Sequence, residues 1–198
     1  MAQNQRGEET RTRILDVAET CFAQQGYDAT GVAEICRRAE VSKGAFYHHF
    51  STKQALFLEL LNHWLDYLDA QFQNVLAISG SVPEALLSMT EMVRPIFQER
   101  SSQLHIIFEF WMQAGHDPAV WKATIAPYQR YRAYFAQMIE EGIAEGTFRP
   151  VDADLAAQML VSLAIGLLLQ GLLDPDGADW GAVVQDSMEM FMHTLRSG

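Results

Sequence analysis

The chain is poor in cysteine, in strand-forming patterns and in basic charge. Cys21 and Cys36 are the only two cysteines among 198 residues. Two thiols in a chain this long make no disulfide framework, which fits a reducing cytoplasm. Both fall at apolar positions of predicted helices, where a thiol serves as a small core residue; a redox-sensing pair is the alternative reading. No segment sustains the period-two alternation of β-branched and aromatic residues that marks a strand, so the pattern predicts an all-helical chain. The first residues, Met-Ala-Gln-Asn-Gln-Arg, lack the apolar core of a signal peptide. Phosphate loops, dinucleotide fingerprints, Gly-x-Ser-x-Gly elbows and His-Glu-x-x-His pairs are all missing. An enzyme, a metal centre and a bound cofactor are therefore not expected. A catalytic site assembled from scattered residues of a helical bundle remains the remote alternative.

The charge is unevenly placed. Residues 1–53 hold seven Lys/Arg and seven Asp/Glu, and the other 145 hold seven and 18, so the whole net charge of −11 lies after residue 53. A polyanion would be repelled by the later part and accepted by the earlier one. Arg37, Arg38, Lys43, Lys53 and the pair His48/His49 form the cationic cluster of that first part. Its neighbours Arg6, Arg11 and Arg13 sit in or beside a polar stretch, residues 1–9, that reads as a frayed arm with solvated charges.

The stretch Val41-Ser-Lys-Gly-Ala-Phe-Tyr-His-His-Phe50 organises the rest. Ser42 is a helix N-cap. Phe46 and Phe50, four residues apart, share an inward face. That leaves Lys43, Gly44, Ala45, Tyr47 and His48 outside: a cation, two small residues, a phenol and an imidazole. Such a face suits a DNA major groove flanked by phosphates. Lys43 is placed to reach guanine and Ala45 a thymine methyl, with Tyr47 on a phosphate. Ser51-x-x-Gln54 reads as a capping box that opens the next helix, with Lys53 among the free N–H groups of its first turn, where an anion is welcome.

These residues, together with Thr12-Arg-Ile-Leu-x-x-Ala18, Phe22-Ala-x-x-Gly-Tyr27, Thr30-x-Val32, Glu34-Ile35, Ala39-x-Val-Ser-x-Gly44 and Lys53-x-x-Leu56, resemble the N-terminal helix-turn-helix of TetR/AcrR-type bacterial transcriptional regulators. The match runs without a gap over about a quarter of the chain. The resemblance implies a helix-turn-helix domain over residues 1–53 and a helical effector-binding and dimerisation domain over 54–198. It implies double-stranded operator DNA and a small-molecule effector as partners, and repression relieved by the effector. At Gly31 the family usually has Ser or Thr, which both caps the helix and touches phosphate. Here Glu34 is expected to reach back to the cap, and the phosphate contact to be missing or supplied by Thr30. A DNA-binding architectural protein without an effector is the other reading of the same residues.

Caps and breakers divide the chain into nine expected helices. The first runs from about Thr10 to Gln25, closed by Gly26. A fourth, long one reaches about Ala77 without a Pro/Gly linker, so that movement in the body passes to the recognition helix. Further helices follow Ser81, Ser101 or Ser102, Asp117-Pro118, Asp152 and Asp179, and Pro127 is expected to kink or break the seventh near Ala126.

The eighth helix is apolar all round: from Ala156 to Leu173 its clearly polar residues are Gln158, Ser162 and Gln170. Such a helix must be covered on every side. A membrane span is disfavoured by its length, its glutamines and its lack of basic flanks. One side against its own core and the other against a second copy explains it better. The residues assigned to that homodimer interface are Met159, Leu163, Gly166 and Gln170, with Val184, Met188 and Phe191 of the last helix. In the resembling family these two helices form a four-helix dimer bundle. The middle helices are rich in large soft side chains, most of them ordinary core. The resemblance implies an effector pocket among them, with Trp64, Met89, Phe108, Glu109, Trp111, Met112 and Tyr131 as the candidate lining. His105, Glu109, Gln113 and His116 make a polar stripe on an apolar helix. It reads as a solvent face, with a buried Glu109 selecting a cationic ligand as the sharper alternative.

Overall fold

The computed structural model describes residues 2–98 and 102–196. Among these the regular structure is helical: α1 (Ala2–Gln25), α2 (Val32–Arg38), α3 (Lys43–His49), α4 (Lys53–Ile78), α5 (Val82–Thr90), α6 (Arg94–Gln98), α7 (Ser102–Ala114), α8 (Pro118–Ala144), α9 (Ala153–Leu173) and α10 (Trp180–Leu195). One isolated antiparallel bridge joins Phe148 to Arg196. The all-helical expectation holds, and the cap residues explain most boundaries. Ser42 accepts from Ala45 N at 3.1 Å, Asp117 from Ala119 N at 2.8 Å, Asp152 from Leu155 N at 3.0 Å and Asp179 from Ala182 N at 3.1 Å. Each satisfies an orphan donor of a first turn. Ser81 accepts from Glu84 N at 3.4 Å, and the Glu84 carboxylate reaches back past the cap to accept from Gly80 N at 2.8 Å.

Four boundaries differ from expectation. The first helix begins at Ala2 rather than Thr10. Extending a nucleated helix is cheap, and residues 2–9 contain no proline to stop it. The fourth helix is capped by Thr52, which accepts from Ala55 N at 2.9 Å. Gln54, assigned to a box with Ser51, instead donates to Asp117 at 2.6 Å. The expected helix from Val82 to Glu99 divides into α5 and α6 around Glu91–Val93, and its last residue, like the proposed Ser101 cap, lies outside the described residues. Pro95 accounts for the division: it has no N–H for the Glu91 carbonyl and its ring crowds that carbonyl. Pro127, by contrast, lies inside an uninterrupted α8. The same penalty is outweighed there by burial of Ala136, Met138 and Ile139 further along the helix.

The helices group into two compact units. The first comprises residues 1–66 and 105–124, and the second residues 67–104 and 125–198. In the first, Ile14, Ala18, Cys21 and Phe22 of α1, Ile35 of α2, Phe46 of α3, and Leu56 and Phe57 of α4 are all buried. Phe57 is the junction: its ring lies 5.3 Å from Phe22, 4.5 Å from Tyr27 and 4.1 Å from Phe110 of α7. The second unit is built on Leu86, Met89, Ile139, Phe148, Ala157, Leu160, Phe191, Met192 and Leu195. Gly171 of α9 lets that helix approach closely, because a Cβ there would collide with the Phe97 ring.

Candidate nucleic-acid interface

α3 is only seven residues long, and its two faces differ completely. Phe46 and Phe50 are buried with ring centroids 5.9 Å apart, which anchors the helix in the first unit. Ser42, Lys43, Gly44, Tyr47 and His48 are exposed and Ala45 is half-buried at the margin. The Tyr47 ring stands edge-on to Phe46 at 5.3 Å, so its phenol is held outward by a fixed neighbour. The structure thus gathers six of the eight DNA-binding candidates on and just before one short outward helix.

The other two have different jobs. Thr30 is fully buried, and its hydroxyl donates to Gly26 O at 2.8 Å and Cys21 O at 3.2 Å. With its hydroxyl turned inward it closes the α1–α2 loop and is corrected as a phosphate contact. Lys53 is partly buried; its ammonium donates to Tyr27 O at 2.7 Å and Thr30 O at 3.0 Å, and lies 4.1 Å from the centre of the Tyr27 ring. Burial pushes the Lys53 pKa down, against the upward pull of Asp28 and Glu109. An ammonium has three protons, and two are used inside the protein. Lys53 is therefore first a fastener of the loop.

The rest of the cationic cluster is also partly spoken for. Glu34 does not cap α2. Its carboxylate takes Arg37 in a two-point contact at 2.8 and 3.0 Å, and Arg38 at 3.0 Å. The Arg37 hydrogen bond, with the charges of Arg37 and Arg38, holds its carboxyl below the usual range. Gly31 caps α2 without any side-chain bond, as expected of glycine. Arg11 pairs with Glu59. Both cysteines are free and buried, with Cys21 Sγ accepting from Arg38 at 3.4 Å. Burial raises the Cys36 pKa, as for an inert core thiol.

The polar stripe of α7 divides. His105 and His116 face solvent. Glu109 accepts from the Tyr27 backbone N–H at 3.1 Å, and Gln113 donates to Asp28 at 3.3 Å. Through Oε2, Glu109 is thus a partner of the α1–α2 loop. Of the remaining effector candidates, Trp64, Phe108 and Trp111 are half-buried in the first unit, with Phe108 and Trp111 edge-on at 5.0 Å. Met112 is 66% exposed. Met89 belongs to the core of the second unit. The Tyr131 hydroxyl donates to Asp69 at 2.7 Å, and burial together with that bond raises its pKa to about 12. The Tyr134 hydroxyl is buried without a hydrogen-bond partner, its ring stacked 5.9 Å from Phe72.

On α9, Ala156, Ala157, Leu160, Val161, Leu167 and Gly171 face the core, while Leu155, Met159, Leu169 and Leu173 are exposed. Its mean hydropathy of 1.9 and length of 21 residues would suffice to cross a membrane. The six packed residues instead make it a core helix with one uncovered apolar face. Met159 and Gln170 lie on that open side, Leu163 is half-buried, and nothing stands within 4 Å of a Cβ built on Gly166. For α10 the assignment is corrected at Val184 and Phe191. Val184 and Phe191 are 9% and 8% exposed, packed into their own core with Met188 against it, while Met190 is 72% exposed.

A short helix with a buried aromatic face and an exposed cationic and phenolic face, preceded by a second helix across a tight turn, defines a helix-turn-helix regulator that binds DNA. Residues 14–60 match the profile of bacterial regulatory proteins of the tetR family, and residues 83–196 that of the C-terminal domain of BetI-type transcriptional repressors. The chain belongs to the TetR family of transcriptional regulators. It is 28% identical over 151 residues to the HTH-type transcriptional repressor KstR2 of Mycolicibacterium smegmatis, covering 76% of this chain and 73% of that one. In fold it is similar to a transcriptional regulator from Saccharomonospora viridis solved with choline. There the TM-score is 0.85 at 23% identity, over 96% of this chain and all of that one. The ketosteroid transcriptional regulator KstR2 of Mycobacterium tuberculosis gives a TM-score of 0.71 at 23% identity, over 95% of both chains.

Proposed function

We propose that the protein is a cytoplasmic homodimeric repressor, released from a palindromic operator by a small apolar or amphipathic effector. The observation that carries this is the outward face of α3. Lys43, Gly44, Ala45, Tyr47 and His48 are presented together by a helix whose other face is fixed in the core. Lys43 and Ala45 read base edges, and Ser42, Tyr47 and His48 hold the backbone. The open face of α9, with Leu155, Met159, Leu169 and Leu173, and Met190 on α10, supports association with a second copy. Large exposed apolar faces on soluble chains mark such contacts.

Two occupied carboxylates favour an uncharged effector. Glu109 is bonded to the Tyr27 N–H, and Asp69 is paired with Arg130 at 2.8 Å as well as with Tyr131. Both are already engaged inside the protein. In the second unit the buried Tyr134 hydroxyl, beside Phe72 and Phe135, offers an apolar molecule one hydrogen bond. The effector must bind the DNA-free state more tightly than the DNA-bound one, and operator DNA must weaken effector binding by the same factor.

The test is selection of bound duplexes from a randomised library, repeated with a ketosteroid and with choline as probes. A palindromic consensus, lost on addition of the steroid and kept with choline, is the expected outcome. Swapping Lys43 or Ala45 should change the selected bases. Selection of no consensus by the wild-type dimer would overturn the reading.

A further inference from the structure

The α1–α2 loop, residues 26–31, is the support on which α2 and α3 stand, and its backbone is gripped by side chains of opposite charge. Tyr27 is held at both of its peptide groups: its N–H donates to Glu109 Oε2 at 3.1 Å and its carbonyl accepts from Lys53 Nζ at 2.7 Å. An anion meets the donor and a cation the acceptor, so each bond is charge-assisted. The same ammonium takes Thr30 O, and the Thr30 hydroxyl closes back on Gly26 O. The Tyr27 ring fills the gap between Phe22, at 5.5 Å, and Phe57, at 4.5 Å. Gly26 has φ +80°, and a Cβ there would lie 2.9 Å from Glu109 Oε1. Glycine is required for its backbone, and a side chain there would also push the carboxylate aside. Gln113 reaches Asp28 of the same loop, and Gln54 joins Asp117. Glu109, Gln113 and Asp117 all belong to residues 105–124, the segment that packs in one unit with the helix-turn-helix although Glu109 lies 82 residues beyond Tyr27.

We infer that Glu109 is a positioning residue for operator binding: from α7 it sets the α1–α2 loop, and through the loop the placement of α3. Its carboxylate acts by where its oxygen lies, and it touches no DNA. Any molecule that displaces α7 from this loop weakens operator binding without approaching the DNA-contacting face. The inference rests on the proposed operator binding, and the experiment separates the two.

The probe is the duplex that the wild-type protein selects from a randomised library, alongside an unrelated duplex of the same length. Glu109→Gln keeps an oxygen acceptor at the same reach and should bind the selected duplex within about threefold of wild type. Glu109→Ala removes the acceptor, and Glu109→Asp withdraws it by one methylene while keeping the charge. Both should bind the selected duplex roughly tenfold or more weakly, the range of a lost charge-assisted hydrogen bond. Affinity for the unrelated duplex and the salt slope should stay unchanged, since no phosphate contact is removed. Hydrogen exchange at the Tyr27 amide should be protected in wild type and Glu109→Gln and accelerated in the other two. This amide readout holds even for a variant with a lowered melting temperature, because it reports the bond itself. Wild-type affinity in both Glu109→Ala and Glu109→Asp would overturn the inference. So would equal losses in Glu109→Gln and Glu109→Ala with Glu109→Asp at wild type, which would assign the effect to charge, or an equal loss on both duplexes. If the wild-type protein selects no duplex, it is the operator reading that fails.

Discussion

Met190→Glu and Phe191→Glu lie one residue apart on α10 and should fail in opposite ways. Met190 is 72% exposed and Met159, on α9, is 53% exposed, whereas Phe191 is 8% exposed within the core of its own unit. Glutamate at 190 or 159 in an isolated chain replaces one solvent-facing side chain by another, which changes stability by about 0.5 kcal/mol or less. In a dimer closed over this face the same carboxylate is buried without a partner, at a cost of about 3–5 kcal/mol. At 1.4 kcal/mol per factor of ten, dimer affinity falls by at least about a hundredfold. Met190→Glu should therefore sediment as a folded monomer at micromolar concentration, and its melting temperature should no longer rise with protein concentration. Its operator affinity should collapse, since a palindrome needs two recognition helices about 34–36 Å apart. Phe191→Glu loses about 3–5 kcal/mol of core packing and should not fold at all. The reasoning is refuted if Met190→Glu and Met159→Glu both remain dimers with wild-type melting, or if Phe191→Glu yields a stable folded monomer.

Tyr134→Phe removes a buried hydroxyl that has no partner, so it should stabilise the free protein by about 1 kcal/mol, or about 2–4 °C in melting temperature; a comparable loss would show that the hydroxyl is satisfied. Lys53→Ala breaks the bonds to Tyr27 O and Thr30 O, and should lower the melting temperature while leaving the salt slope of DNA binding intact; a slope smaller by about one unit would restore Lys53 as a phosphate contact. Gly171→Ala places a methyl against the Phe97 ring and should destabilise the second unit by about 1–3 kcal/mol, measured by denaturant melting. The carboxyl of Glu34 is held low by Arg37 and Arg38, so its contribution to stability is present above the unfolded carboxyl pKa and lost as pH falls through the lower folded value. Glu34→Gln should flatten the acid limb of the stability profile, and an unchanged limb would deny the pairing any weight.

Helix starts were legible wherever a cap precedes an apolar run, because the information is local. Ser42, Ser81, Asp117, Asp152 and Asp179 all cap as their sequence contexts indicate. Where two adjacent residues compete, local chemistry does not decide. Ser51 and Thr52 are both good caps, and Thr52 takes the role while Gln54 leaves for Asp117. The inward face of α3 was legible because Phe46 and Phe50 are the only large apolar pair at helical spacing. On α10 the spacing of Val184, Met188 and Phe191 identifies an apolar stripe but not its neighbour, and Val184 and Phe191 pack into their own core. Periodicity identifies the face that must be covered, and both a chain's own core and a second copy can cover it. On α9 no polar face remains to set the orientation, so its open side could be found only once Ala157, Leu160 and Leu167 were seen to be packed.

The polar stripe of α7 marks the limit of that reading. Glu109 and Gln113 are what a solvent face looks like in sequence, and their partners lie 82 and 85 residues away. Glu109 serves the general requirement that a partly buried backbone group find a partner, while Gln113 meets the Asp28 side chain. Sequence pattern supplies such partners for helix ends, where the capping side chain is three residues away. The α1–α2 loop has no such local supply beyond the Thr30 hydroxyl, so its N–H and carbonyl groups are met by a carboxylate from α7 and an ammonium from α4. Groups recruited over that distance tie together elements that the chain order separates. The loop that carries the recognition helix is therefore also the place where a segment following the long α4 becomes part of the DNA-binding unit.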